Sequence, residues 1–196
     1  MRNARAGVVP VIALTALLAL LAGCSVAVRG TATPARGGSV ALAPARYVDG
    51  QRRFSIVPPQ GWRPDTSGRE GTAVFFLASD PDTAAAGPFV SNINVLVLPA
   101  HADLDATVGA ARGELAGLNA YRLLDDEAAT LAGGLPAHVL GGTFTQSGFA
   151  LRNLQLFTVY QGSTVVVTGT ALADRWAGYG ALVDASLHTV IVPAPA

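Results

Sequence analysis

At 196 residues, with 13 basic side chains against 13 acidic ones, the chain has room for one compact domain plus targeting and linker segments, and two domains would be crowded. Every basic residue is Arg, which points to a GC-rich genome rather than to a binding surface. Without a leader carrying Arg2 and Arg5, 11 Arg face 13 acids, so no basic patch speaks for nucleic acid. The single Cys excludes an intramolecular disulfide framework.

The N-terminus has the three parts of a secretory signal over residues 1–23. Arg2 and Arg5 supply a positive start, Val8 to Ala22 an apolar helix-forming run, and Leu21-Ala22-Gly23 small residues at a cleavage point. About 15 apolar residues fall short of the roughly 20 that span a bilayer core. The run therefore reads as a signal rather than a permanent span. Leu21-Ala22-Gly23-Cys24 resembles the lipobox of bacterial lipoproteins, an aliphatic residue and two small ones before Cys. Small side chains let the chain lie extended in a membrane-face peptidase, and the thiol accepts a diacylglyceryl group. The expectation is a mature chain beginning at lipidated Cys24, held to the membrane at the outer face of the plasma membrane. One acyl chain binds marginally and two bind stably, at about 0.8 kcal/mol per buried methylene.

Residues 24–45 then read as the lipidated Cys and a flexible linker, because Ser25 to Ala45 is rich in Gly, Pro, Thr and Ala and shows no helical or strand period. Thr31 and Thr33 beside Pro34 are compositional candidates for O-linked sugar. A folded domain is expected over 46–193. It opens with a short strand, turns at Asp49-Gly50, and resumes from Arg53 to Val57 with Phe54 and Ile56 on one face. Pro58 and Pro59 end the ladder, and Gly61 allows a turn that brings Trp62 back over the sheet.

Further strands are predicted at Thr72–Ser79, Val90–Pro99, Ala120–Leu131, Pro136–Gly148, Ala150–Gly162 and Ser163–Leu172. Short Gly-containing turns join the last three as an antiparallel meander. Leu104, Val108, Ala111, Leu115 and Leu118 mark one helical face, with Asp103 or Asp105 able to cap it. Trp176, Tyr179, Val183 and Leu187 mark a second helix from about Asp174 to His188. The expected fold is α+β: an antiparallel β-sheet with two helices packed on one face. In that arrangement the adjacent apolar pair Phe75 and Phe76 finds no place for both side chains in the core.

The opening signature Phe54-x-Ile56-x-x-Pro59-x-Gly61-Trp62, followed by strands, a helix, more strands and a closing helix, resembles the PsbP-like fold. Within it, the chain is similar to the LpqN/LpqT type of actinobacterial lipoprotein, where a lipobox and linker precede one such domain. The resemblance extends through ELAGLNAYRLLDDEAATLAGGLPAHVLGGTF. It implies that Phe54, Ile56, Pro59, Gly61 and Trp62 are scaffold, and that the protein is an accessory module.

Signals for chemistry are sparse. His101, His138 and His188 are far apart and lack metal-ligand spacing, and no G-x-S-x-G elbow, P-loop or G-x-G-x-x-G is present. Three features stand out. Asp125-Asp126-Glu127 reads as a cation site or a solvated edge; successive strand residues point to opposite faces, so at most two carboxylates converge. Gly141-Gly142 reads as a close approach by ligand or as a bulge. Arg152, Asn153 and Gln155, with Asn92 and Asn94, read as a polar groove if their strands are neighbours, or as the solvent face of a half-buried sheet.

The expectation is an anchored, non-enzymatic binding or accessory module with no cofactor, no metal and no catalytic residue. Its partner would be an envelope lipid or glycolipid held between sheet and helices, or a membrane protein complex. The alternatives are an envelope hydrolase acting on lipid or glycan, with a carboxylate or Ser/His pair assembled from distant strands, and a surface-exposed interaction protein.

Overall fold

The computed structural model describes residues 40–193; Cys24, the leader and most of the expected linker lie outside the described residues. The chain runs β1 (Tyr47–Val48), β2 (Ser55–Ile56), β3 (Arg63–Asp65), β4 (Val74–Leu77), β5 (Asp82–Ala84), β6 (Gly87–Phe89), β7 (Asn92–Pro99), α1 (Leu104–Ala116), β8 (Arg122–Thr130), β9 (Pro136–Gln146), β10 (Phe149–Tyr160), β11 (Ser163–Leu172) and α2 (Trp176–Leu187). Seven strands form one antiparallel sheet in the order β3-β4-β7-β11-β10-β9-β8. The short pairs β1-β2 and β5-β6 lie outside it.

Strands β8 to β11 make the meander expected from their short connections, and β11 then turns back to pair with β7, Val167 opposite Val95. The loop between β1 and β2 is set by Asp49, whose nearly buried carboxylate accepts from the backbone N–H of Gln51 and Arg53, both 3.2 Å, and from the Arg53 guanidinium at 2.8 and 2.9 Å. Hydrogen bonding from Arg53 holds the Asp49 carboxyl below its usual range. The helix cap is Asp103, which accepts from Ala106 N–H at 2.9 Å.

The two helices lie on opposite faces of the sheet, and this corrects the expectation that both pack on one face. Val183, Leu187 and Trp176 of α2 share a core with Val74, Phe76, Ile93, Val95, Leu156, Val165 and Val167, and with Phe54 and Ile56 of the β1-β2 hairpin. Val108, Ala111 and Leu115 of α1 share another with Phe75, Leu96, Leu140, Phe157 and Val166. Side chains alternate along a strand, so Phe75 and Phe76 enter different cores and both are buried. The near-continuous apolar runs VFFL and TVVV are those of strands covered on both sides.

The scaffold residues sit at the α2 side. Phe54 and Ile56 are fully buried. Pro59 is bridged to Leu42, and its carbonyl accepts from Trp62 N–H at 3.2 Å across a turn in which Gly61 has φ 82°. Trp62 packs edge-on against Tyr179 of α2 with ring centroids 6.1 Å apart.

Candidate functional site

The α1 face of the sheet carries a belt of polar side chains between two apolar clusters. Strand register builds it. Asn94 on β7 lies opposite Thr168 on β11, and Thr168 opposite Gln155 on β10. One step along, Asn92, Thr170 and Asn153 repeat the pattern. The six residues are between 2% and 9% exposed, so they are not the solvent face of a half-buried sheet. Strands β7 and β10 are not neighbours either; β11 lies between them and contributes two threonines that extend the row. Arg152 is not part of the belt, because alternation sends it to the α2 face, where its guanidinium lies 4.9 Å from the Trp176 ring.

Both amides of the second row are partnered: Asn153 Oδ1 accepts from Gly142 N–H at 3.2 Å, and Asn92 Nδ2 donates to the Val90 carbonyl at 3.2 Å. The first row is not. Asn94 Oδ1, Thr168 Oγ1 and Gln155 Oε1 are all buried without a hydrogen-bond partner. On three adjacent strands they make a line about 10 Å long. A buried polar group left unpaired costs about 1–3 kcal/mol, so three in register mark a place that needs a partner from outside the chain's own donors and acceptors.

Two further orphans belong to the same face. Glu114 Oε2 on α1 is buried and unpaired. Arg112, two residues earlier, reaches the β8 edge, where it grips both oxygens of Asp126 at 2.7 Å. At about 100° per residue Glu114 lies about 200° around the helix from Arg112, on the side away from the β8 edge. Burial raises its carboxyl above the ordinary range. The Tyr121 hydroxyl is likewise unpaired, and its phenol is raised by burial. Amides, a hydroxyl, a phenol and a carboxyl together can both donate and accept, which suits a ligand rich in hydroxyls.

The remaining sequence candidates fall elsewhere. Asp125 and Asp126 diverge to opposite faces: Asp125 pairs with Arg152 at 3.3 Å, and Asp126 with Arg112 and with His138 Nε2 at 2.6 Å. Hydrogen bonds from Arg112 and His138 drive the Asp126 carboxyl far below the usual range. The Asp126 and His138 pair has the spacing of a base and its orienting carboxylate, but Arg112 takes both carboxylate oxygens and the cluster faces solvent. Among the described residues no group of three His, Cys, Asp or Glu side chains could hold a metal ion. His101 is exposed, and His188 turns back on the Asp184 carbonyl at 3.0 Å.

The glycine pair faces a neighbouring strand. A Cβ on Gly141 would lie 2.5 Å from Asp125 Oδ2, and one on Gly142 2.7 Å from the Arg122 carbonyl and the Tyr121 ring. The bulge is on β8, where the register shifts between Leu123 and Asp125. Thr168, Thr170, Glu114 and Tyr121 are not marked as site residues by the sequence; the period of two of the threonines is visible there, but their pairing with β7 is not.

An antiparallel sheet with one helix on each face and this connectivity is a PsbP-like domain. The solution structure of the cyanobacterial PsbP of Synechocystis matches with a TM-score of 0.54 at 17% identity, over 82% of this chain and 98% of that one. A Pseudomonas aeruginosa protein of unknown function, a putative regulator, matches with a TM-score of 0.50 at 17% identity, over 80% and 99%. Within that class, the chain belongs to the Lpp-LpqN family, described as probable lipoprotein LpqN, whose profile matches residues 45–174. The crystal structure of Mycobacterium tuberculosis LpqN, a protein involved in cell envelope biogenesis, matches with a TM-score of 0.56 at 21% identity, over 78% of this chain and 91% of that one. No curated protein gives a significant match.

Proposed function

We propose that the protein is anchored through diacylglyceryl-Cys24 at the outer face of the plasma membrane. There it acts as a non-enzymatic binding module that holds the head of an envelope lipid or glycolipid on the polar row beneath α1. The observation that carries the binding role is the line of unpaired buried atoms on Asn94, Thr168 and Gln155. The lipobox at Leu21–Cys24 and membership of a lipoprotein family support the anchor. The envelope-biogenesis role of the Mycobacterium tuberculosis protein supports the compartment. Neither the family description nor the cyanobacterial and mycobacterial neighbours' names carry an enzymatic activity.

Native mass spectrometry of the protein isolated from its own host tests the binding role. A discrete lipid or glycolipid adduct, lost in Thr168→Val, is the expected result. An adduct-free mass together with ordered waters on all three atoms would remove the ligand. Growth with labelled palmitate tests the anchor separately: label persisting in Cys24→Ala would refute it.

A further inference from the structure

The polar row is closed over. Asn94, Thr168 and Gln155 are between 3% and 6% exposed, so a lipid head reaches them only if an element that roofs them moves. Three elements form the roof. Helix α1 covers one side through Val108, Ala111 and Leu115. The connection after α1 closes the β8 side, where Leu118 and Tyr121 pack against both apolar clusters and Thr145 N–H donates to the Asn119 carbonyl at 2.8 Å. The β5-β6 hairpin closes the third. Its Ala84 and Phe89 pack on Phe144, Leu151 and Leu172, which stand two residues along their strands from Gly142, Asn153 and Thr170 of the second row.

These covers are held very differently. Val108, Ala111 and Leu115 of α1 are buried, and Arg112 bridges the helix to β8 through both oxygens of Asp126. In the hairpin no residue from Asp82 to Phe89 is buried, and β5 and β6 pair only with each other. Swinging it away therefore breaks no ladder of the seven-stranded sheet. Its root is fixed: Ser91 is fully buried, its hydroxyl donates to Asp82 at 3.2 Å, its carbonyl accepts from Ala78 N–H at 2.9 Å, and the Tyr179 phenol of α2 meets both residues. Beyond that root, Phe89 leans on Phe149 with ring centroids 5.4 Å apart, and Ala86 at the tip touches the β9-β10 turn, its Cβ 3.3 Å from where one on Gly148 would lie. A clamped root and a lightly held body make a hinge.

We propose that the β5-β6 hairpin is the lid of the polar row, hinged beside Asp82 and Ser91 and latched by Phe89 on Phe149. As the way into that row, the lid presupposes the binding role proposed above. Lifting it bares Phe144, Leu151 and Leu172 beside the row, so that apolar and polar surface become accessible together to one amphiphile.

Thiol labelling reads the opening without any lipid. In the mature chain with Cys24→Ala, an introduced cysteine is the only thiol. Thr168→Cys places it in the row. Val167→Cys places it on the opposite, fully buried face of the same strand, as a reporter of global unfolding. With Ellman's reagent, Thr168→Cys is expected to react at least about tenfold faster than Val167→Cys. Removing the latch by Phe89→Ala, or by Phe149→Ala should the first variant not fold, raises the ratio of the two rates about a further fivefold. Arg112→Gln, which frees α1 from β8, leaves the ratio unchanged. Equal rates at the two positions mean that the row never opens locally, and a rise in Arg112→Gln matching that in Phe89→Ala makes α1 the moving part; either result overturns the lid. Neither depends on whether a lipid adduct is found, so the lid and the binding role fail separately.

Discussion

Val183 of α2 occupies the space a side chain on Gly169 would fill: a Cβ there overlaps the Val183 methyls. The helix therefore rests directly on the backbone of β11, close to the centre of the sheet, and Val183 is fully buried in doing so. Gly169→Ala is expected to push α2 off the sheet and cost about 1–3 kcal/mol, the usual penalty of overpacking. Urea denaturation checks this. A Gly169→Ala, Val183→Ala double variant recovers part of the loss, because the clash is between these two positions.

The unpaired row makes an opposite prediction. Thr168→Val replaces a buried, unpartnered hydroxyl with a methyl of similar size, so the ligand-free protein is expected to gain about 1 kcal/mol of stability. The same change removes a contact from the proposed site and weakens ligand retention. Thermal unfolding with and without extracted ligand separates the two effects: the parent gains more from ligand than the variant does.

Acid sensitivity is expected at the α1 to β8 contact. The Asp126 carboxyl is lowered by hydrogen bonds from Arg112 and His138, so its contribution is present above the unfolded carboxylate pKa of about 4 and is lost as the pH falls below that value. The stability difference between the parent and Asp126→Asn is therefore expected to shrink on acidification through that window. Melting temperature against pH for the two proteins measures it.

Alkaline behaviour should centre on Tyr179. Its phenol is pushed up to about 12, chiefly by burial and then by Asp82. A raised phenol contributes stability that is complete below the unfolded value of about 10 and is lost as the pH climbs toward 12. Ultraviolet difference titration should find Tyr179 among the tyrosines that ionise late, at the high end of the transition, and Tyr179→Phe should remove that last step.

The edge strand offers a fifth test. Gly142→Ala forces a methyl against the Tyr121 ring and the Arg122 carbonyl, so β8 is expected to loosen from β9. Hydrogen exchange over Arg122–Thr130 is expected to speed up while β10 and β11 keep their protection.

Much of the architecture was legible in local pattern. Period-two runs located β4 and β7 to β11, and helical stripes located α1 and α2, because each signal is carried by residues close together in the chain. The three-residue strands β3, β5 and β6 were too short to show a period. The placement of both helices on one face failed for a different reason: a stripe reports that a helix needs an apolar partner but not which face supplies it. That error propagated, since a sheet with one bare face makes Asn94 and Gln155 solvent-facing, whereas a sheet covered on both faces buries them.

Residue order alone determined the lipobox motif at Cys24, the longer strands and both helices, a cap at Asp103 or Asp105, and the alternation that splits Asp125 from Asp126. Only the tertiary structure decided that β11 inserts between β7 and β10, that Thr168 completes a row with Asn94 and Gln155, and that the two helices take opposite faces of the sheet. The reason is range. Periodicity and capping act over one or two turns of chain, while a sheet joins residues such as Thr168 and Asn94, 74 positions apart, by register, and no local propensity records which strands will meet.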